Sequence, residues 1–319
     1  MKKTAIVNKF SWYLKSSKSL KFFLNLSSLS SSKKRNLRKL ICPGLRTPGF
    51  IFLPIDHGFE HGPSDFISNP KSVDPEYVLG LAAEARLSGV VMHIGVAQKY
   101  WQKKNYKNRV NLVLKLNGKS YFGDETTAFS PLISSVEEAV KLGASGVGYT
   151  LYLGSLREAE DLSQFYKVRK EAEEFGLPLI LWSYPRGSLV EKSTEKNSWA
   201  AVAYAARVAN EIGADLVKLN LPLKLEKTYL KDNPFYRYES IKQISFLEKL
   251  LWVREAAGAV GALVSGGKYK NEVEFMDDVR LSVKAGFDGF MLGRNIWQRS
   301  FDDSLQLIQK IKEAMNAGK

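Results

Sequence analysis

The chain is poor in the residues that most readily build disulfides and metal sites. Its 319 residues include one cysteine, Cys42, and three histidines, His57, His61 and His93. A single thiol closes no internal disulfide, which excludes a disulfide-stapled domain and fits a reducing compartment. Three histidines are a thin endowment for a catalytic zinc site, which draws on about three protein ligands. His57 and His61 lie four apart, but in a loop bounded by Gly58, Gly62 and Pro63 rather than on a helix. No apolar run reaches the roughly 20 residues that a membrane-spanning helix needs. No Gly-x-Gly-x-x-Gly follows a strand-like run, which counts against a dinucleotide-binding sheet. No metal and no cofactor is therefore expected.

Acidic residues are missing from one region only. Residues 1–46 hold 12 of the 47 Lys and Arg and none of the 33 Asp and Glu, so nearly all of the +14 net charge sits there. The rest of the chain is close to neutral. A nucleic-acid-binding domain carries its basic footprint on its own folded surface, so neither nucleic acid nor membrane is an expected partner. The stretch is also rich in serine, with Ser27, Ser28, Ser30, Ser31 and Ser32 close together. It reads as a basic extension, either disordered or an organelle-targeting peptide. A short amphipathic helix is expected between about Lys33 and Arg46, leading into the first strand. A cytoplasmic location is expected, or an organelle if residues 1–46 are a transit peptide.

What is present is one theme repeated. From Gly49 onward, short apolar runs alternate with helix-period segments. The runs are Phe50 to Ile55, Gly89 to Ile94, Asn111 to Leu116, Gly146 to Leu151, Pro178 to Trp182, Ala214 to Leu219, Ala262 to Val264 and Asp288 to Leu292. Continuous apolar runs belong to strands buried on both faces, as in parallel sheets. Helical patterns lie between most of them, and Gly143, Gly176, Gly213 and Gly286 stand where left-handed C-caps are expected. Eight such units predict an α/β fold, a (β/α)8 barrel, as a single domain over residues 47–319. An open doubly wound sheet is the competing architecture.

Functional groups of such barrels sit at the C-terminal ends of the strands. Lys218 is the sharpest candidate, a lysine within the apolar run Leu216-Val217-Lys218-Leu219. Burial disfavours the ammonium ion and lowers a lysine's pKa, and a neutral amine attacks a carbonyl to form a Schiff base. The alternative is a lysine that reaches the barrel mouth or pairs with a carboxylate such as Asp56. Lys115 stands similarly on the third run, as an anion contact, a like charge that depresses the pKa of Lys218, or half of an ion pair. Asp56 and Tyr184 are candidate proton carriers, against the plainer roles of a turn residue and a rim aromatic. Ser265, Gly266 and Gly267 after the seventh run, with Gly293 and Arg294 after the eighth, read as a phosphate site. Glycines let backbone N–H groups approach phosphate oxygens, and arginine adds a donor fork.

These segments resemble one family, the archaeal-type class I fructose-1,6-bisphosphate aldolases. The likeness is carried by Asp56-His57-Gly58-Phe59-Glu60-His61-Gly62-Pro63, Leu114-Lys115-Leu116-Asn117-Gly118-Lys119, Trp182-Ser183-Tyr184-Pro185-Arg186-Gly187, Asp215-Leu216-Val217-Lys218, Ser265-Gly266-Gly267 and Gly293-Arg294-Asn295. The resemblance implies a metal-independent carbon–carbon lyase of glycolysis and gluconeogenesis that acts on a phosphorylated sugar. It implies Lys218 as the Schiff-base lysine, Tyr184 as general acid/base and Asp56 as an assisting acid. It further implies Trp182 and Lys115 at the substrate, Ser265, Gly266, Gly267, Gly293 and Arg294 at phosphate, and a homo-oligomer, commonly a decamer. A related transaldolase of aromatic biosynthesis and a non-catalytic barrel that binds through its basic arm are the other readings. The stretch from about Lys224 to Ser245 departs from the family pattern and is expected to form a lid or a subunit contact.

Overall fold

The structure, a computed structural model, describes residues 29–318 apart from residue 194 and residues 226–243. Eight strands close into one barrel in sequence order: β1 (Phe50–Pro54), β2 (Gly89–Met92), β3 (Leu112–Lys115), β4 (Gly146–Leu153), β5 (Leu179–Pro185), β6 (Leu216–Leu219), β7 (Gly261–Ser265) and β8 (Gly289–Met291). Neighbours pair in parallel, and β8 returns to β1. The expected barrel is what forms. The main helices are α1 (Ser31–Lys39), α2 (Pro75–Glu84), α3 (Val136–Leu142), α4 (Glu158–Glu174), α5 (Trp199–Glu211), α6 (Phe246–Ala256), α7 (Glu272–Lys284) and α8 (Phe301–Ala317).

Local chemistry sets these boundaries. The Asp74 carboxylate accepts from the Glu76 N–H and Pro75 opens α2, which fits a proline's fixed φ at the first turn. Ser135 with Glu138, and Ser245 with Glu248, form reciprocal capping boxes that start α3 and α6. Gly143 ends α3 at φ 83°, a conformation costly for a side chain with Cβ, and Gly176, Gly213 and Gly286 also take positive φ. One crossover departs from the helical pattern. Between β2 and β3 the chain uses only short turns, Ile94–Val96, Ala97–Trp101 and Lys104–Lys107. Trp101 anchors this segment, buried and donating from Nε1 to the Val110 carbonyl at 2.8 Å. Strands β4 and β5 run beyond their expected ends because they stay paired from Val147↔Leu179 to Leu153↔Pro185.

Every strand is buried on both faces, so alternation decides what faces inward. The barrel interior is a separate apolar cluster: Phe50 and Phe52 of β1, Val91, Val113, Ile180, Trp182, Leu216, Leu263 and Met291. Leu37 and Leu40, from α1 and its C-cap, belong to the same cluster, so α1 closes the floor. Lys33 of this helix pairs with Glu173 and, at 3.1 Å, with Asp215, and Asn36 donates to the Gly176 carbonyl at 2.9 Å. Residues 31–40 therefore pack as part of the barrel, although they fall within the basic stretch read from the sequence as an extension. Residues 1–28 lie outside the described residues. The second apolar cluster fills the layer between strands and helices. Among the described residues, no helix is long and apolar enough to cross a membrane.

Candidate active site

Two residues further along each strand, the inward positions change character. Val113 is followed by Lys115, Leu216 by Lys218, and Ile180 by Trp182 and then Tyr184. Strand register sets Trp182 directly beside Lys218. Gly148 of β4 makes the room: a Cβ there would meet the Trp182 ring at 2.5 Å. The indole therefore packs over Gly148, and both lysines lie near its ring. Lys115 Nζ is 5.0 Å from its ring centroid and Lys218 Nζ 5.4 Å, and Lys218 is also 5.9 Å from the Tyr184 ring. Asp56, Lys115, Trp182, Tyr184 and Lys218, five residues singled out from sequence, thus meet in one site at the C-terminal end of the barrel.

The two lysines differ in what holds them. Lys115 is fully buried, with Glu60 Oε1 at 2.9 Å and Asp56 Oδ2 at 3.4 Å. Burial pulls its pKa down, but Glu60 and Asp56 outweigh that and raise it, so it stays an ammonium ion. Lys218 is 7% exposed and, among the described residues, has no carboxylate oxygen within 4.0 Å. The pairing of Lys218 with Asp56 considered from the sequence does not form among the described residues; Asp56 Oδ2 stands 3.4 Å from Lys115 Nζ as the looser of that lysine's two carboxylates.

Asp56 is buried, and burial alone favours its neutral acid. Lys115, His57, Lys218 and His93 outweigh that penalty and hold the carboxyl well below the usual carboxylate range. His57 Nδ1 lies 3.3 Å from Asp56 Oδ1 without hydrogen-bond alignment. Burial pushes the His57 imidazole down to about 3, against the pull of Asp56, with His61, Lys218 and Arg294 adding to the depression. His61 and His93 are lowered too, in each case first by burial. All three histidines are therefore neutral near pH 7. The His57 ring packs on His61 and edge-on to Trp297, and a Cβ at residue 293 would strike it at 2.6 Å, so Gly293 lets the two loops meet.

The late-strand residues lie at the adjoining rim. Ser265 sits beside Met291, and the Gly266 N–H donates to the Met291 carbonyl. Gly267 takes φ 67°. Arg294, at the start of the short helix Arg294–Trp297, lies 3.5 Å from the Asp65 carboxylate, and its buried Nε has no hydrogen-bond partner among the described residues. Two residues not assigned a role from sequence complete the arrangement. Asn295 is fully buried and donates to the Gly266 and Lys268 carbonyls while accepting from the Lys270 N–H, which fixes the loop after β7 against the one after β8. Glu60 supplies the nearer carboxylate of Lys115. Its only sequence signal was its place in the motif after the first strand.

The expected insert falls largely on residues 226–243, outside the described residues. Its flanks are held: Lys249 Nζ donates to the Leu223 and Lys224 carbonyls, and Lys224 pairs with Asp278 at 3.0 Å.

A buried lysine that has no carboxylate partner among the described residues, beside a tyrosine and a basic, glycine-lined rim, is arranged for carbonyl chemistry on an anionic substrate. Comparison with known proteins agrees. A family model described as DeoC/LacD family aldolase matches residues 50–299. The chain is 41% identical over 272 residues to a class 1 fructose-bisphosphate aldolase of Thermoproteus tenax, covering 84% of this chain and 90% of that one. A protein of the same description from Halobacterium salinarum is 32% identical over 264 residues, covering 81% of this chain and 89% of its own length. Among solved structures, an archaeal fructose-1,6-bisphosphate aldolase whose catalytic lysine is covalently bound to the carbinolamine intermediate superposes with a TM-score of 0.70. It is 39% identical and covers 84% of this chain and 94% of its own. With the barrel, the buried lysine and these relatives in agreement, the chain belongs to the DeoC/LacD family of aldolases.

Proposed function

We propose that this chain is a class I, Schiff-base fructose-1,6-bisphosphate aldolase, with Lys218 as the attacking amine. The observation that carries the reading is the contrast between the two inward lysines: among the described residues, Lys115 is held by two carboxylates and Lys218 by none. An amine with no carboxylate within 4.0 Å among the described residues, seated against Trp182 and Tyr184, is placed to attack a carbonyl.

In the cleavage direction, Lys218 Nζ adds to the C2 ketone and water leaves, giving a protonated imine. Tyr184, assisted by Asp56, takes the C4 hydroxyl proton as the C3–C4 bond breaks. The bonding pair moves into the imine and forms an enamine, and glyceraldehyde 3-phosphate departs. Tyr184 returns a proton to C3, and hydrolysis frees dihydroxyacetone phosphate and the amine. Ser265, Gly266, Gly267, Gly293 and Arg294 hold the phosphate of the dihydroxyacetone end, and Lys115 and Trp182 line the substrate. The Arg294–Asp65 pair, both side chains 18% exposed, opens toward phosphate in this scheme. A cytoplasmic homo-oligomer fits the same reading, supported by Tyr166, Tyr204 and Trp252 standing part-exposed on the outer helices.

The test is borohydride reduction in the presence of dihydroxyacetone phosphate, followed by peptide mass mapping. A reduced adduct on the peptide that carries Lys218 is expected. No adduct, or an activity abolished by a chelator, overturns the mechanism.

A further inference from the structure

We infer that Glu60 is a positioning residue for the reaction: it holds the Lys115 ammonium ion so that Asp56 remains available to the nitrogen of Lys218. The inference rests on the Schiff-base reading above and adds a residue to it. It follows from counting charges in a closed space. The groups that face one another there are Asp56, His57 and Glu60 beyond β1, His93 beyond β2, Lys115 on β3, Tyr152 on β4, Tyr184 on β5 with Arg186 just beyond it, and Lys218 on β6. The histidines are neutral and Arg186 lies over the Tyr184 ring, so at Asp56 and Glu60 two carboxylates face two amines. When Lys218 is an imine that carries a proton, it bears one positive charge and Lys115 the other, and each needs an anion.

The distances assign the anions. Glu60 Oε1 stands at 2.9 Å from Lys115 Nζ, within full hydrogen-bond contact, and Asp56 Oδ2 at 3.4 Å is the looser partner. The Lys115 side chain has no exposed surface and Glu60 only 15%, so the pair is poorly screened. Without Glu60, Asp56 would be the sole carboxylate among the described residues within 4.0 Å of a fully buried ammonium ion. Lys115 would then draw Asp56 to itself, and the charge forming on Lys218 would lose its counter-ion.

Three proteins test this: Glu60→Gln, Lys115→Met and the double variant. Each is first checked for folding by circular dichroism, since removing one partner of a buried pair is costly, while the double variant removes both partners of the closer pair together. Cleavage of fructose 1,6-bisphosphate is followed across pH, together with borohydride trapping on dihydroxyacetone phosphate. Glu60→Gln is expected to lower kcat by about tenfold or more, the scale of one lost charge–charge contact. It should also slow trapping and move the alkaline limb of the pH profile to lower pH, because Lys115 loses the anion that keeps it charged. Adding Lys115→Met to Glu60→Gln should raise kcat above that of Glu60→Gln alone, since the competitor for Asp56 is gone, even where KM suffers. A Glu60→Gln enzyme with the wild-type kcat and pH profile overturns the inference, and so does a double variant whose losses simply add. Should wild-type protein give no adduct at Lys218, it is the Schiff-base reading itself that fails. Normal wild-type trapping with an indifferent Glu60 removes this inference alone.

Discussion

The floor and the mouth of the barrel use the same geometry for opposite purposes. Phe50, Val113, Ile180 and Leu216 point inward at the floor and pack with Leu37 and Leu40 from α1. Two residues along the same strands, the inward positions hold Lys115, Trp182 and Lys218. The floor gains from every methylene it removes from water, roughly 0.8 kcal/mol each. The mouth buries charges, which costs stability unless each is paired, and among the described residues Lys115 has two carboxylates within 4.0 Å while Lys218 has none. The comparison teaches that stability and chemistry are separated along the barrel axis by about one pleat of each strand. It yields experiments that should break one end and spare the other.

The largest expected effect is on chemistry. Lys218→Met should reduce kcat by at least about a thousandfold, as loss of a covalent nucleophile does. Its melting temperature should hold or rise, because a buried amine with no carboxylate within 4.0 Å among the described residues is replaced by an apolar chain of similar length. A melting temperature that falls as far as that of a floor variant would erase the distinction between the two ends. Leu40→Ala is the converse. It removes a fully buried side chain from the floor cluster and should cost about 2–5 kcal/mol in urea unfolding. The kcat of the folded enzyme should remain that of wild type, and a matching loss of kcat would show the floor to be coupled to the site.

The smallest effect concerns pH. The folded-state pKa of His57 is about 3, against an ordinary value of 6.5. Between these values the unfolded chain binds the extra proton, so stability rises with pH across that window. The contribution is complete above about pH 6.5 and is lost as pH falls toward 3. Asp56, also lowered, adds loss in the same direction, below the ordinary carboxylate range. Wild-type protein should therefore melt progressively earlier from pH 6.5 to 4.5, and His57→Gln should show a shallower slope in the same scans. Parallel slopes would remove His57 from the account of the mouth.

Much of the barrel was legible because parallel strands buried on both faces leave continuous apolar runs, and those runs occur eight times. Helix starts were legible where a cap pairs with its backbone within a few residues, as at Asp74 and Ser135. The crossover between β2 and β3 was not, since its turns are held by Trp101 reaching a carbonyl nine residues away rather than by a periodic face. The site was legible as a set of residue types at strand ends, and the neighbours of each were not. Residue type marked Lys218 as the sharper candidate but left open whether it reacts or pairs with a carboxylate, and left Lys115, in a similar apolar run, between an anion contact, a like charge and an ion pair. Glu60 and Asn295 drew no role of their own, because a loop residue has no periodicity to mark the direction of its side chain.

The amino-acid sequence by itself determined the count of strands, the period that turns Lys115, Trp182, Tyr184 and Lys218 to one face, and the family likeness their motifs carry. These are local properties, set by alternation along a strand and by residue type. The closed barrel decided the rest. It placed α1 under the floor, let the indole of Trp182 cross over Gly148, and brought Glu60 from beyond β1 to Lys115 on β3. That last contact spans 55 residues, and it separates the amine that stays charged from the one left free to react. Which of two buried lysines finds a counter-ion is a matter of ångströms between strands, and only closure of the sheet sets those distances.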